Sequence, residues 1–303
     1  MENFLISMII AATPLLLAAI GELVTERSGV LNLGVEGMML MGAVVAFATA
    51  NATGSSVLAI AAGGGAGLAM ALIFAVIALS LLANQAATGL ALTIFGIGAS
   101  GLIGQGFVGV AIEPLGKLSI PGLSDSTMPG RILLGHDAMV YLALALAGAV
   151  AWFLSRSRAG LALRAVGDNH HSGHALGYNV IAIRYAATLF GGACAGLGGA
   201  YLSLAYTPMW AENMTAGRGW IALALVVFAT WKPGRVVAGA YLFAAVTQLQ
   251  FYGQDWGWPI PSQFLAMAPY VATILALVII SRDVNLTKAN APACIGRPFR
   301  AER

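Results

Sequence analysis

Charge is what this sequence has least of. Asp, Glu, Lys and Arg make up 9% of its 303 residues, where a soluble domain usually carries about 25%. With 59% hydrophobic residues and a mean hydropathy of +0.85, that scarcity excludes water as the chain's main solvent. Cysteine is scarce too. Cys194 lies in an apolar run and Cys294 in a basic tail, segments that the topology below places apart, so no disulfide is expected. A phosphate-binding loop is also missing: the one Gly-Lys pair, Gly116-Lys117, is followed by Leu118, and the glycine required earlier is Ala111. The chain is therefore not expected to hydrolyse ATP by itself. Energy for vectorial work would have to come from an ion gradient or from a separate subunit.

What is present is a succession of apolar runs of roughly 18 residues or more, the length that crosses a bilayer core. Nine candidate spans can be drawn, at about 4–24, 31–50, 57–82, 86–108, 138–155, 181–206, 218–231, 236–252 and 264–281. The expected fold is thus all-α, a polytopic transmembrane helical bundle of about nine spans (eight to ten). Asn32 and Glu36 interrupt the second span, and 218–231 is short enough for a re-entrant or broken helix. The first stretch has neither a basic leader nor a small-x-small cleavage site and reads as a retained span. Glycine, 38 residues, lies largely inside the apolar runs, where it lets helix backbones approach closely in lipid. Gly63 with Gly67, and Gly192 with Gly196 and Ala200, have small-xxx-small spacing but identify no partner helix.

Lys and Arg set the orientation, because cytoplasmic loops carry the excess. With the loop 156–180 inside, nine spans put twelve basic residues on the cytoplasmic side, and only Lys117, Arg131 and Arg218 outside. The N-terminus is then external and the tail cytoplasmic. Residues 1–285 read as one membrane domain and 286–303 as a basic tail. Two external segments, 109–137 and 253–263, stand out, and Trp256 and Trp258 in the second suit a membrane interface.

The cytoplasmic segment Ser155–Val180 is studded with arginine and broken at Gly-Asp-Asn, a pattern of one or two short helices at the membrane surface. Such an element could seat in a groove of a partner, or be an ordinary positive-inside loop. His170 and His174 stand at i, i+4, a metal-compatible spacing, but few carboxylates adjoin them and no metal is expected. Inside the spans, ionisable groups are costly and mark functional sites by default. Glu36 follows Arg27 by nine residues, which would put it about 13 Å inside were the link helical, with Asn32 four residues earlier on the same face. With Asn84, Gln85, Thr88 and Gln248 these residues could line a polar path. Alternatively they bond helices together or cap a broken helix. Gly98-Ala99-Ser100-Gly101 matches the short pattern of rhomboid intramembrane proteases, but a serine nucleophile needs a base within reach and no histidine falls inside a span.

Two stretches together carry a resemblance. Thr13–Ala43, T-P-L-L-L-A-A-I-G-E-L-V-T-E-R-S-G-V-L-N-L-G-V-E-G-M-M-L-M-G-A, is the long one. The other is R-A-G-L-A-L-R-A-V-G-D-N at Arg158–Asn169, followed by G-Y-N-V, Arg184 and the Gly-rich span. They resemble the ABC importer permeases of the ribose and branched-chain amino-acid type, in the nucleoside and simple-sugar branch, over about residues 10–285. The resemblance implies a bacterial inner-membrane importer with two permease subunits, identical or homologous, and two cytoplasmic ABC ATPases. An external solute-binding protein would deliver cargo, and no nucleic-acid partner is implied. It also implies that the 155–180 loop supplies a coupling helix, a role that falls on Arg164, Gly167, Asp168 and Asn169. The run His170–His174 departs from the small residues that relatives carry there. No cofactor is implied in this chain, ATP being used by the partner. Two other readings stand beside it: a branched-chain amino-acid permease of the same design, and an ion-coupled secondary transporter, for which no internal repeat is evident.

Overall fold

The computed structural model describes residues 2–118, 128–255, 257, 261–281 and 290–300; Trp256 and Trp258 lie outside them. Among the described residues the fold is helical, with three isolated β-bridges and no strand. Seven helices among the described residues are long and apolar enough to cross a membrane. They begin with α1 (Glu2–Arg27), α2 (Val35–Thr53) and α3 (Ser56–Ala75, extended by a π-helical turn to Ser80). α4 (Gln85–Gly104) follows, then a short α5 (Met128–Leu134) and the fifth long helix, α6 (Ala138–Arg156). Two short helices, α7 (Arg158–Asp168) and α8 (His170–Ala175), lead into α9 (Val180–Tyr201, extended by a π-helical turn to Tyr206). α10 (Arg218–Phe228) is apolar but only 11 residues long, and α11 (Pro233–Asp255) is the seventh long helix. The 20-residue α12 (Ser262–Ser281) carries no charged residue. The nine predicted spans therefore fall on seven long helices, one half-length helix and α12.

Helix starts follow from local chemistry. Ser55, Asn84, Asp137, Ser157, Asn169 and Asn179 each turn a side-chain oxygen to an amide of the first helical turn, satisfying donors that have no intrahelical acceptor. Three of these caps, Ser157, Asn169 and Asn179, bracket the two short helices between α6 and α9.

α1, α2, α3 and α9 form the centre. Their contact is glycine-made: a Cβ on Gly67 would overlap the carbonyl oxygen of Gly192, one on Gly196 that of Gly63, and one on Gly42 the backbone of Gly196. The two small-residue motifs of the sequence are thus each other's partner, with α2 as a third member, and backbones meet at distances a side chain would forbid. The periphery is apolar and open, Ile94 on α4 being 72% exposed and Ile274 on α12 59%, as lipid-facing surface is.

The two ends of α1 contact different parts of the chain. At one end Glu2 pairs with Arg131 of α5 at 2.9 Å. At the other, Arg27 donates to the carbonyls of Trp231 and Asn290, and Gly29 accepts from the amide of Gly296. The N-terminus and the tail segment 290–300 therefore lie at opposite ends of the bundle, so the chain crosses it an odd number of times.

Candidate functional site

Two polar regions are built into this frame. The first is the Arg27 end. α7 packs so closely on the end of α1 that a Cβ on Gly167 would overlap the carbonyl oxygen of Arg27, and Gly29 opposite it has φ +85°, a left-handed conformation that glycine adopts without strain. The tail lies along this junction: Cys294 N donates to Gly167 O at 2.9 Å, and Arg184 donates to the carbonyls of Ser28 (3.2 Å) and Arg297 (2.9 Å). Arg184 is 1% exposed, and its third contact is His170 Nδ1 at 3.0 Å. That nitrogen accepts the bond, and burial, together with Arg184, His171 and Arg297, pushes the imidazole down to about 4. Phe299 stands among the rings of His170, His171 and His174 at centroid distances of 5.2, 5.8 and 5.5 Å.

The four residues expected to couple to an ATPase are brought together here, in different ways. Gly167 is the buried contact to α1, whereas Asp168 and Asn169 are exposed at the α7–α8 corner. Asn169 also caps α8 through Ser172 N. Partial burial raises the Asp168 carboxyl from its ordinary range, against the pull of Arg27 and Arg164. Arg164 is half-buried, and its Nε has no hydrogen-bond partner. The histidines close on Phe299, and among the described residues no group of three or more His, Cys, Asp or Glu could hold a metal. Both cysteines are buried and free.

The second region surrounds the link 28–34. It is not helical, so the depth projected for Glu36 along a continuous helix, and the shared face with Asn32, do not apply. Glu36 instead opens α2, and its carboxylate accepts from the hydroxyl of Thr215 and the amides of Gly217 (2.8 Å) and Gly219 (2.6 Å). It thereby fills the start of α10, where free amides and the helix dipole favour an anion. Asn32, fully buried, accepts from Gly34 N and points its amide at Met38 Sδ. Gln85 Oε1 accepts from Leu31 N at 2.8 Å, its amide nitrogen remaining unpartnered. Asn84 caps α4 through Ala87 N, and Thr88 bonds back to Asn84 O. Asn32, Glu36 and Gln85 thus gather on the link. Gln248 is buried on α11, and among the described residues no hydrogen bond joins it to them.

Sequence reasoning missed several buried polar groups. Glu22 and Glu26 are each 1% exposed on α1; Glu26 accepts from the indole of Trp231, and neither oxygen of Glu22 has a partner. Arg184 was noted only within the family stretch and the tail only as a basic segment, neither as part of this site. For Glu22, Glu26 and Arg184 the signal was available, an ionisable residue inside an apolar run. Ser100 is buried and donates to Ile97 O, while the His136 ring bonds Ile132 O.

The family profile described as branched-chain amino acid transport system / permease component matches residues 4–281. The chain belongs to this permease family. It is 41% identical over 284 residues to a protein named putative glucose ABC transporter permease protein TsgC13 of Haloferax volcanii, covering 91% of this chain and 86% of that one. It is 33% identical to the guanosine ABC transporter permease protein NupQ of Bacillus subtilis and to the nucleoside ABC transporter permease protein NupC of Lactococcus lactis, in each case over 96% of this chain and 94% of the relative. No solved structure matches it. The permease is thus a multi-pass inner-membrane transport subunit of an ABC transporter and works with the other subunits of such a system.

Proposed function

We propose that this permease carries a nucleoside or a simple sugar inward, working with a second permease subunit, a cytoplasmic ABC ATPase pair and an external solute-binding protein, and binding no cofactor of its own. The cargo reading is supported by relatives named for glucose, guanosine and nucleosides that align along nearly the whole chain. The shared chemistry is a neutral, hydroxyl-bearing ring. The observation that carries the coupling role is the corner Asp168-Asn169, exposed on a short helix whose neighbour Gly167 is locked to the end of α1. A push on α7 is thereby delivered directly to one of the four central helices. ATP binding and hydrolysis in the partner would move this corner, and the permease would contribute a path and no covalent step.

The test is uptake of a labelled purine nucleoside and of labelled glucose by cells with and without this chain, challenged with unlabelled nucleosides, glucose, ribose and leucine. Loss of uptake on deletion, with competition by nucleosides or sugars, is the expected result; loss of leucine uptake alone overturns the cargo reading. In the same cells, Asp168 and Asn169 both changed to Leu should leave insertion intact and ATPase activity running without uptake. Unchanged uptake in that double variant removes the coupling role.

A further inference from the structure

The segment between α9 and α10 poses a physical problem. Its backbone is not helical from Thr207 to Gly217, with φ of +55° at Asn213, +48° at Ala216 and +83° at Gly217. It also reaches into the bundle. The far end of α10 is tied to the basic end of α1 through the bonds from Arg27 to Trp231 O. Its near end is tied to Glu36. Eleven helical residues rise about 16 Å, roughly half of a hydrocarbon core about 30 Å thick. The Gly217 end of the turn therefore sits near half depth, and Glu212, over Gly101, lies beyond it towards the Gly104 end of α4, still within the span of that helix.

Irregular backbone at that depth is tolerated only where protein buries it or where it lines water. Thr215 and Gly219 are buried, but Ala211, Glu212, Asn213 and Ala216 are exposed on this chain. The carboxylate of Glu212 lies over Gly101 of α4, where a Cβ would stand 3.6 Å from Oε1. Among the described residues neither the Glu212 nor the Asn213 side chain has a hydrogen-bond or ion-pair partner. A charged side chain facing lipid at this depth is costly, so the turn does not face lipid. The nearby Arg218 is already engaged: it donates to the carbonyls of Met214 and Thr215 and lies 5.2 Å from the ring centre of Tyr206.

We propose that the turn Ala211–Gly217 lines the aqueous path, and that Glu212 and Asn213 are contacts for the cargo. This rests on the transport role above and deepens it. A carboxylate and a carboxamide side by side accept from, and donate to, the hydroxyls of a sugar or ribosyl ring. The same carboxylate repels the carboxylate of an amino acid. Glu36 acts from behind as a positioning residue: by holding Thr215, Gly217 and Gly219 it fixes which residues of the turn point outward.

The experiment uses the assembled transporter in lipid nanodiscs, with Cys194 and Cys294 changed to Ala. Single cysteines are placed at Glu212, at Asn213, at the water-exposed Asn51 and at the lipid-facing Ile94. A charged, membrane-impermeant thiol reagent is applied in the resting and in the nucleotide-trapped state. Glu212→Cys and Asn213→Cys should react like Asn51→Cys in at least one state, while Ile94→Cys stays unreactive. Reactivity as low as that of Ile94→Cys in both states overturns the proposal. Glu212→Gln and Asn213→Ala, with membrane levels unchanged, should each slow uptake about tenfold, the size of one lost hydrogen bond to a charged or buried group. Normal uptake in both overturns the cargo contact. Labelling does not depend on cargo, so a wrong cargo assignment appears instead as failure of the unmodified transporter in the uptake assay.

Discussion

At Glu36 the sequence left two roles open, lining a path or capping a broken helix, and the structure shows the carboxylate capping one. Its two oxygens serve three donors, Thr215 Oγ1 and the amides of Gly217 and Gly219. Glu36→Ala leaves these groups without acceptors, at about 1–3 kcal/mol for each buried one. Thermal unfolding in detergent should therefore show a large loss of stability, with membrane levels and uptake falling together, and Glu36→Gln, which keeps one acceptor, should lie between. Uptake abolished at full stability would instead give Glu36 a direct part in the path. His170 makes a second prediction. Its imidazole titrates at about 4, against an ordinary 6.5, so between these values the unfolded chain binds a proton that the folded one does not. Stability is then lost as pH falls from 6.5 towards 4. His170→Asn should flatten the pH dependence of the thermal midpoint across that window; an unchanged slope would mean that the ring takes its proton at ordinary pH.

The long helices were readable because an apolar run of span length has few alternatives. The break at 28–34 was readable only in part: the predicted spans stop at 24 and resume at 31, whereas the chain stays helical to Arg27 and is not helical again until Val35. The backbone there is satisfied by side chains distant in sequence, Gln85 reaching Leu31 N and Thr93 reaching Leu33 O, and such pairs leave no periodicity. The tail was hidden for a related reason, since its bonds to Gly167, Gly29 and Arg184 are made by backbone groups. Glycine spacing told that helices pack closely but not which ones. The structure pairs α3 with α9, and this can be checked one residue at a time. Gly67→Ala places a methyl into the carbonyl of Gly192, whereas Gly65→Ala meets nothing within 4 Å. Overpacking of this kind costs about 1–3 kcal/mol, so Gly67→Ala should lower the thermal midpoint and the membrane level of the protein, and Gly65→Ala neither. Equal behaviour of the two would dissolve the assigned contact.

For the whole molecule, charge and packing give one topology by independent routes. Counting Lys and Arg along the sequence favours an odd number of crossings with the tail inside. The bundle separates Glu2, paired with Arg131, from the tail, bonded to Gly29 and Arg27, which requires an odd number without reference to charge. The same arrangement gathers the end of α1, the Asp168-Asn169 corner, Arg184 and the tail at a single face, so that a force applied there reaches the core of the bundle without crossing a loop. If that face is cytoplasmic, a phosphatase that is active only outside the cell should be active when fused after Gly54, in the link between α2 and α3. The same enzyme should be silent after Asn179, in the link between α8 and α9, while a fluorescent protein that matures only in the cytoplasm should be bright after Asn179 and after the final residue. Bright fluorescence at Gly54 with phosphatase activity at Asn179 would invert the permease and put the coupling corner out of reach of any ATPase. A phosphatase signal at both the N-terminus and the final residue would contradict the odd crossing itself, and with it the packing of the tail against the end of α1.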